Sequence, residues 1–115
     1  MYKPQMALVL ISLIASQLNA DVCGANHYEI IQVRIHDHLF DPDVILVPPD
    51  TIIKLFFENQ DDEAEEIFSH PLKLKKIVFG NSQGFVFIGP LEEGDYALKG
   101  RFFSRSAVSI VRVIR

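Results

Sequence analysis

Two groups of residues have side chains and spacing suited to holding a metal ion. His36-Asp37-His38 sets two imidazoles two residues apart, which on a strand places both on one face. Glu65, Glu66 and His70 form a second group, with carboxylates suited to hard cations and an imidazole suited to copper, iron or zinc. Each group also has a plain reading. The face of the two histidines carries Gln32 and Arg34 as well, as a solvated strand end would, and a histidine pair alone is short of the ligands of a closed site. Glu58, Asp61, Asp62, Glu63, Glu65 and Glu66 make an acidic block that a solvated loop accounts for without a metal. Catalytic chemistry has less support. Ser69 beside His70 is adjacency in sequence, with no orienting third group, and no glycine-rich phosphate loop is present. The sequence is read as a non-enzyme.

The segments that must position these residues are short and rich in β-formers. From Tyr28 the pattern alternates, with Ile31, Val33 and Ile35 on one face and Gln32, Arg34, His36 and His38 on the other. Pro42 breaks it, and Val44 to Val47 forms the next strand. Thr51 to Asn59 alternates again, with Ile53, Leu55 and Phe57 inward. After the acidic segment Gln60 to Glu66 come a short run from Ile67 to Leu72 and a weakly alternating one from Lys73 to Phe79. Phe85 to Ile88, Tyr96 to Phe103 and Ala107 to Ile114 complete the series. The chain shows no capped amphipathic helix. An all-β sandwich or barrel follows.

The N-terminus has the layout of a secretory signal peptide: Lys3, a run from Met6 to Ala15 that is apolar but for Ser12, then Ser16 to Asn19 and Ala20 as the small residue at the cleavage point. Cleavage after Ala25 is the alternative, and it also removes Cys23. The expected division is 1–20 signal peptide, 21–28 short extension and 29–115 folded domain, in the periplasm or secreted, with no transmembrane segment in the mature chain. Cys23 is the single cysteine, so no internal disulfide is available and the core carries the fold. Removing residues 1–20 takes away Lys3 alone and leaves 10 basic against 15 acidic residues, a formal charge of −5. Bulk binding to nucleic acid is thereby disfavoured. The basic residues gather late, at Lys99, Arg101, Arg105, Arg112 and Arg115.

Five stretches of the chain resemble a known family. They are Phe40-Asp41-Pro42-Asp43-Val44, Pro49-Asp50-Thr51, the run Leu55 to Asp61, Glu65-Glu66-Ile67-Phe68-Ser69, and the corner from Ile88 through Gly89, Pro90 and Leu91 to Gly94 and Tyr96. Together they resemble the cupredoxin-like domain of small bacterial periplasmic proteins, often associated with iron-permease systems, over about residues 29 to 113. The resemblance implies an antiparallel Greek-key β-sandwich. It also implies a metal site, from which this chain departs: Phe68 stands where the family has a carboxylate, Lys75 where it has a glutamate, and Arg101 and Phe103 where it has an acid and a histidine. Phenylalanine has no lone pair for a metal, and Lys75 and Arg101 repel a cation wherever they lie close to it. No cofactor is expected, and copper enters only through the resemblance. The implied role is a binding or accessory module, with a membrane metal-transport system or another periplasmic protein as partner. The alternative is a copper or iron carrier, or an electron-transfer protein, whose site has moved to Glu66 and His70 with help from His36 or His38.

Overall fold

Burial in this chain follows the period of two. In the computed structural model, which describes residues 28–115, Ile53, Leu55 and Phe57 are wholly buried and the residues between them are half-exposed, as a strand with one face on a core requires. Nine strands form: β1 Glu29–His36, β2 Leu39–Asp41, β3 Val44–Val47, β4 Ile53–Asn59, β5 Glu65–Ser69, β6 Leu74–Val78, β7 Ser82–Ile88, β8 Gly94–Gly100 and β9 Val108–Val113.

They make two sheets, of order β2-β1-β4-β7 and β3-β9-β8-β5-β6. The inward residues Val33, Leu55 and Phe57 of the first meet Ile67, Leu98 and Val111 of the second in one apolar core. The expected all-β sandwich is the one observed. Its sheets are mixed: β1 pairs with β4, and β3 with β9, in parallel. The other five pairings are antiparallel.

Several boundaries differ from the sequence reading, and two of them matter for the site. β5 begins at Glu65, inside the stretch expected to be an acidic loop. β8 ends at Gly100, so Arg101, Phe102 and Phe103 lie in the turn that follows and not at the end of the strand. The corner after Ile88 is built on Gly89, whose φ is 94°. A Cβ there would lie 2.5 Å from the Thr51 carbonyl oxygen, so the close approach requires glycine. Residues 1–27, with the expected signal peptide and Cys23, lie outside the described residues. Among the described residues no helix is long and apolar enough to cross a membrane.

Candidate functional site

Glu65 and Glu66 are neighbours in sequence and are separated by the strand they share. Successive side chains of a strand point to opposite faces. Glu65 therefore turns inward with Ile67 and Ser69, and Glu66 turns outward with Phe68. Both are nonetheless buried, at 2% and 9% exposure. The Glu65 carboxylate accepts three backbone hydrogen bonds: from the N–H groups of Glu66 and Phe102 to one oxygen, each 2.8 Å, and from that of Phe103 to the other, 3.2 Å. Converging amides replace the lost water shell of a buried anion. Room for the carboxylate comes from Gly100, where a Cβ would meet it and would stand 2.8 Å from the Ala107 Cβ. Glu65 thus ties β5 to the turn after β8. Its oxygens are occupied in holding the fold.

Glu66 is committed differently. Arg101 donates its Nε–H to Glu66 Oε1 at 3.1 Å, its backbone N–H donates to the Glu66 carbonyl at 2.8 Å, and Lys75 Nζ stands 4.0 Å from Oε2. The same guanidinium lies over the Phe68 ring, 4.4 Å from its centre. Cross-strand register places Phe68 opposite Lys75 on β6 and opposite Lys99 on β8. Three of the four positions marked in the sequence as departures, Phe68, Lys75 and Arg101, therefore meet on one outer face around Glu66. The fourth, Phe103, lies elsewhere, stacked on the His38 imidazole with centres 3.6 Å apart and planes 13° from parallel.

The two histidines of the first group do not share a strand face. β1 stops at His36, and Asp37 and His38, with φ of 53° and 60°, make the turn into β2. That turn is fixed from below by Asp61, whose carboxylate accepts the backbone N–H groups of Asp37 at 2.8 Å and of His38 at 2.9 Å. The His38 ring lies between Asp61 Oδ2, 3.4 Å from Nδ1, and Glu63 Oε1, 3.3 Å from Nε2. His36 Nε2 is 3.3 Å from its neighbour Asp37. Burial works to raise the Asp61 pKa; the two amide hydrogen bonds and the two imidazoles outweigh it and hold the group below the usual aspartate range. Among the described residues, His36, Asp37 and Asp61 are the one set of three side chains whose ligand atoms all come within 4.8 Å of one another. His70 lies apart from them, in the tight turn between β5 and β6, where it lines a surface groove with Phe68, Lys73, Lys75 and Arg101.

Strand alternation alone could have found Glu65. Extending the inward period back from Ile67 and Ser69 reaches it, but a run of acids reads first as solvent-exposed. Asp61 falls in the acidic block and in a family-like run, but nothing local marks it as the anchor of the β1–β2 turn, because its partners are backbone groups 24 and 23 residues away.

The profile of the family described as the cupredoxin-like domain matches residues 5–111. The chain belongs to that family. An uncharacterized protein of Rickettsia prowazekii (strain Madrid E) is 32% identical over 108 residues, spanning 94% of this chain and 86% of the relative. Among solved structures, auracyanin B superimposes with a TM-score of 0.64 at 12% identity, over 76% of this chain and 89% of that one. The metal-binding domain of the Cu(I)-exporting P-type ATPase of Streptococcus pneumoniae D39 does so with a TM-score of 0.64 at 11% identity, over 75% and 85%. At such identities the likeness is one of fold.

Copper, which that exporter domain carries in its solved structure, does not fit the residues around Glu66. Of the groups there, Phe68 offers no donor atom, Arg101 and Lys75 are cations, and the Glu66 carboxylate is already paired with both. Copper favours imidazole and sulfur donors; no sulfur lines this groove, and its one imidazole, His70, stands among Lys73, Lys75 and Arg101. The residues that do collect donor atoms are His36, Asp37 and Asp61, at the opposite end of β5 from His70.

Proposed function

We propose that this cupredoxin-like domain is exported and acts as a binding or accessory module beside a membrane system that moves iron or copper, or with another periplasmic protein, and that it holds no metal at the positions resembling the family's ligands. One observation carries the reading: Glu66, the acid left at the centre of that face, is paired with Arg101 and Lys75 and flanked by Phe68. A cation entering there would have to displace a guanidinium and approach an ammonium, against the Coulomb term. The apolar run and small residues near the N-terminus support export. Metal analysis of the purified chain after loading with copper, and separately with iron, tests the proposal. Substoichiometric metal that washes off is expected. Stoichiometric metal lost in Glu66→Ala would overturn it.

A second reading, a metal carrier, is favoured by the donor set of His36, Asp37 and Asp61. It differs from the first in one measurable respect. Under it, stoichiometric metal binds, and His36→Ala abolishes the loading while Glu66→Ala leaves it intact.

A further inference from the structure

The outer face of the second sheet carries a concentration of positive charge that the ion pairs of the fold do not use up. The groove beside β5 is lined by Phe68, His70, Lys73, Lys75 and Arg101, and Lys99, across from Phe68 in the sheet register, lines the adjoining groove that shares Phe68 and His70. Facing these groups is one carboxylate, Glu66, bound to Arg101 and within 4.0 Å of Lys75. Among the described residues neither Lys73 nor Lys99 has a carboxylate partner within 4.0 Å. The late basic residues Arg112 and Arg115 behave differently, being paired with Asp95, Glu93 and Asp50. A patch of this kind on a chain of net charge −4 is a local field that attracts anions against the sign of the whole molecule.

The groove is also shaped. Arg101 is held twice by Glu66, through its backbone N–H and its Nε–H, and stacked on Phe68. Its terminal N–H groups therefore stand in a fixed fork, the geometry that matches a carboxylate. The far wall is a closed turn in which the Lys73 N–H donates to the His70 carbonyl at 3.1 Å and the Leu72 N–H to Ser69 Oγ at 3.2 Å. Lys75 and Lys99 flank Phe68 on strands two apart, which separates their Cα atoms by roughly 10 Å. Cations at that spacing around an aromatic floor suit a ligand with several carboxylates joined by a carbon chain. A single phosphate reaches only one side of the groove.

We infer that the Phe68–Arg101 groove is a binding site for a small organic polycarboxylate, anchored by the Arg101 fork and by Lys73, Lys75 and Lys99, with the carbon chain of the ligand against Phe68. The site stands independently of whether metal binds at His36, so the two questions fail separately. The test is a titration of the isotope-labelled chain with citrate, followed by amide chemical shifts, with inorganic phosphate and acetate in parallel. Saturable shifts confined to Phe68, His70, Lys73, Lys75, Lys99 and Arg101 are expected for citrate, with phosphate and acetate at least about tenfold weaker. The double variant Lys73→Gln with Lys75→Gln, at exposed positions outside the core, should weaken citrate about tenfold or more while leaving the spectrum of the core unchanged. Arg101→Lys, which keeps the charge and loses the fork, should also weaken it. Phosphate binding as tightly as citrate would overturn the ligand class. No saturable shift, shifts of equal size at Arg112 and Arg115, or full affinity in the double variant would overturn the site.

Discussion

Replacing Glu65 by glutamine asks whether a buried carboxylate holds the fold together. Glutamine has the same shape and keeps one acceptor oxygen, which can continue to take the N–H groups of Glu66 and Phe102, now 2.8 Å away. Its other terminal group is an NH2, which would face the Phe103 N–H that now donates at 3.2 Å. One hydrogen bond is lost with two donors left opposed, and the remaining two lose their charge assistance. Hydrogen bonds to a charged group contribute about 1.5–3 kcal/mol and neutral ones about 1 kcal/mol, so the loss is about 2–3 kcal/mol. Glu65→Ala removes all three acceptor contacts and leaves buried N–H groups unpaired, a loss of about 3–5 kcal/mol. Either is a large part of the roughly 5–15 kcal/mol that holds a small domain folded. Urea denaturation reads the effect as a lower midpoint, by about 1–2 M for the glutamine variant at a typical m value of about 1.5 kcal/mol/M. A glutamine variant with a midpoint at or above that of the parent chain would refute the reasoning. Burying the charge would then cost more than the amides return.

Further expectations follow from the same contacts. Gly100→Ala should destabilise by about 1–3 kcal/mol, because its methyl group meets the Glu65 carboxylate and Ala107; thermal unfolding checks it, and that loss should shrink in a Glu65→Ala background, where only the contact with Ala107 remains. Asp61 is held below its ordinary pKa in the folded chain. Its contribution is therefore present above the unfolded aspartate value of 3.8 and is lost as pH falls through the lower folded value. Urea midpoints of the parent chain and Asp61→Asn should accordingly differ at neutral pH and converge as the solution is acidified below that value. The combined change of Phe68, Lys75 and Arg101 to glutamate gathers carboxylates around Glu66, and equilibrium dialysis should then show divalent metal uptake at that face, relieved by salt and chelator; unchanged uptake would mean that the three positions do not define a cation site.

The fold was legible and the site only partly so, for reasons that lie in how each is encoded. Sandwich strands announce themselves through period-two burial, and Ile53, Leu55 and Phe57 are such a signal. Parallel pairing of β1 with β4 leaves no mark on either strand alone, since alternation is the same whichever way the partner runs. The acidic stretch misled where charge and burial disagree: Glu65 and Glu66 look solvated by composition and are buried because amides and Arg101 replace water. His36 and His38 were separated by a turn at Asp37 that Asp61 stabilises from a distant segment. The gathering of Phe68, Lys75 and Arg101 was foreshadowed by family resemblance, yet their contact depends on the register of β5 with β6 and on the turn after β8, which no local pattern records.

The central claim is that the Glu66 face excludes metal. Adding Cu(II) to the isotope-labelled chain tests it most directly, because a paramagnetic ion bleaches the amide signals nearest to where it binds. The account predicts that the amides of Phe68, Lys75 and Arg101 keep their intensity at stoichiometric Cu(II), with any loss centred on His36, Asp37 and Asp61. Selective bleaching around Glu66 and Arg101 would contradict it.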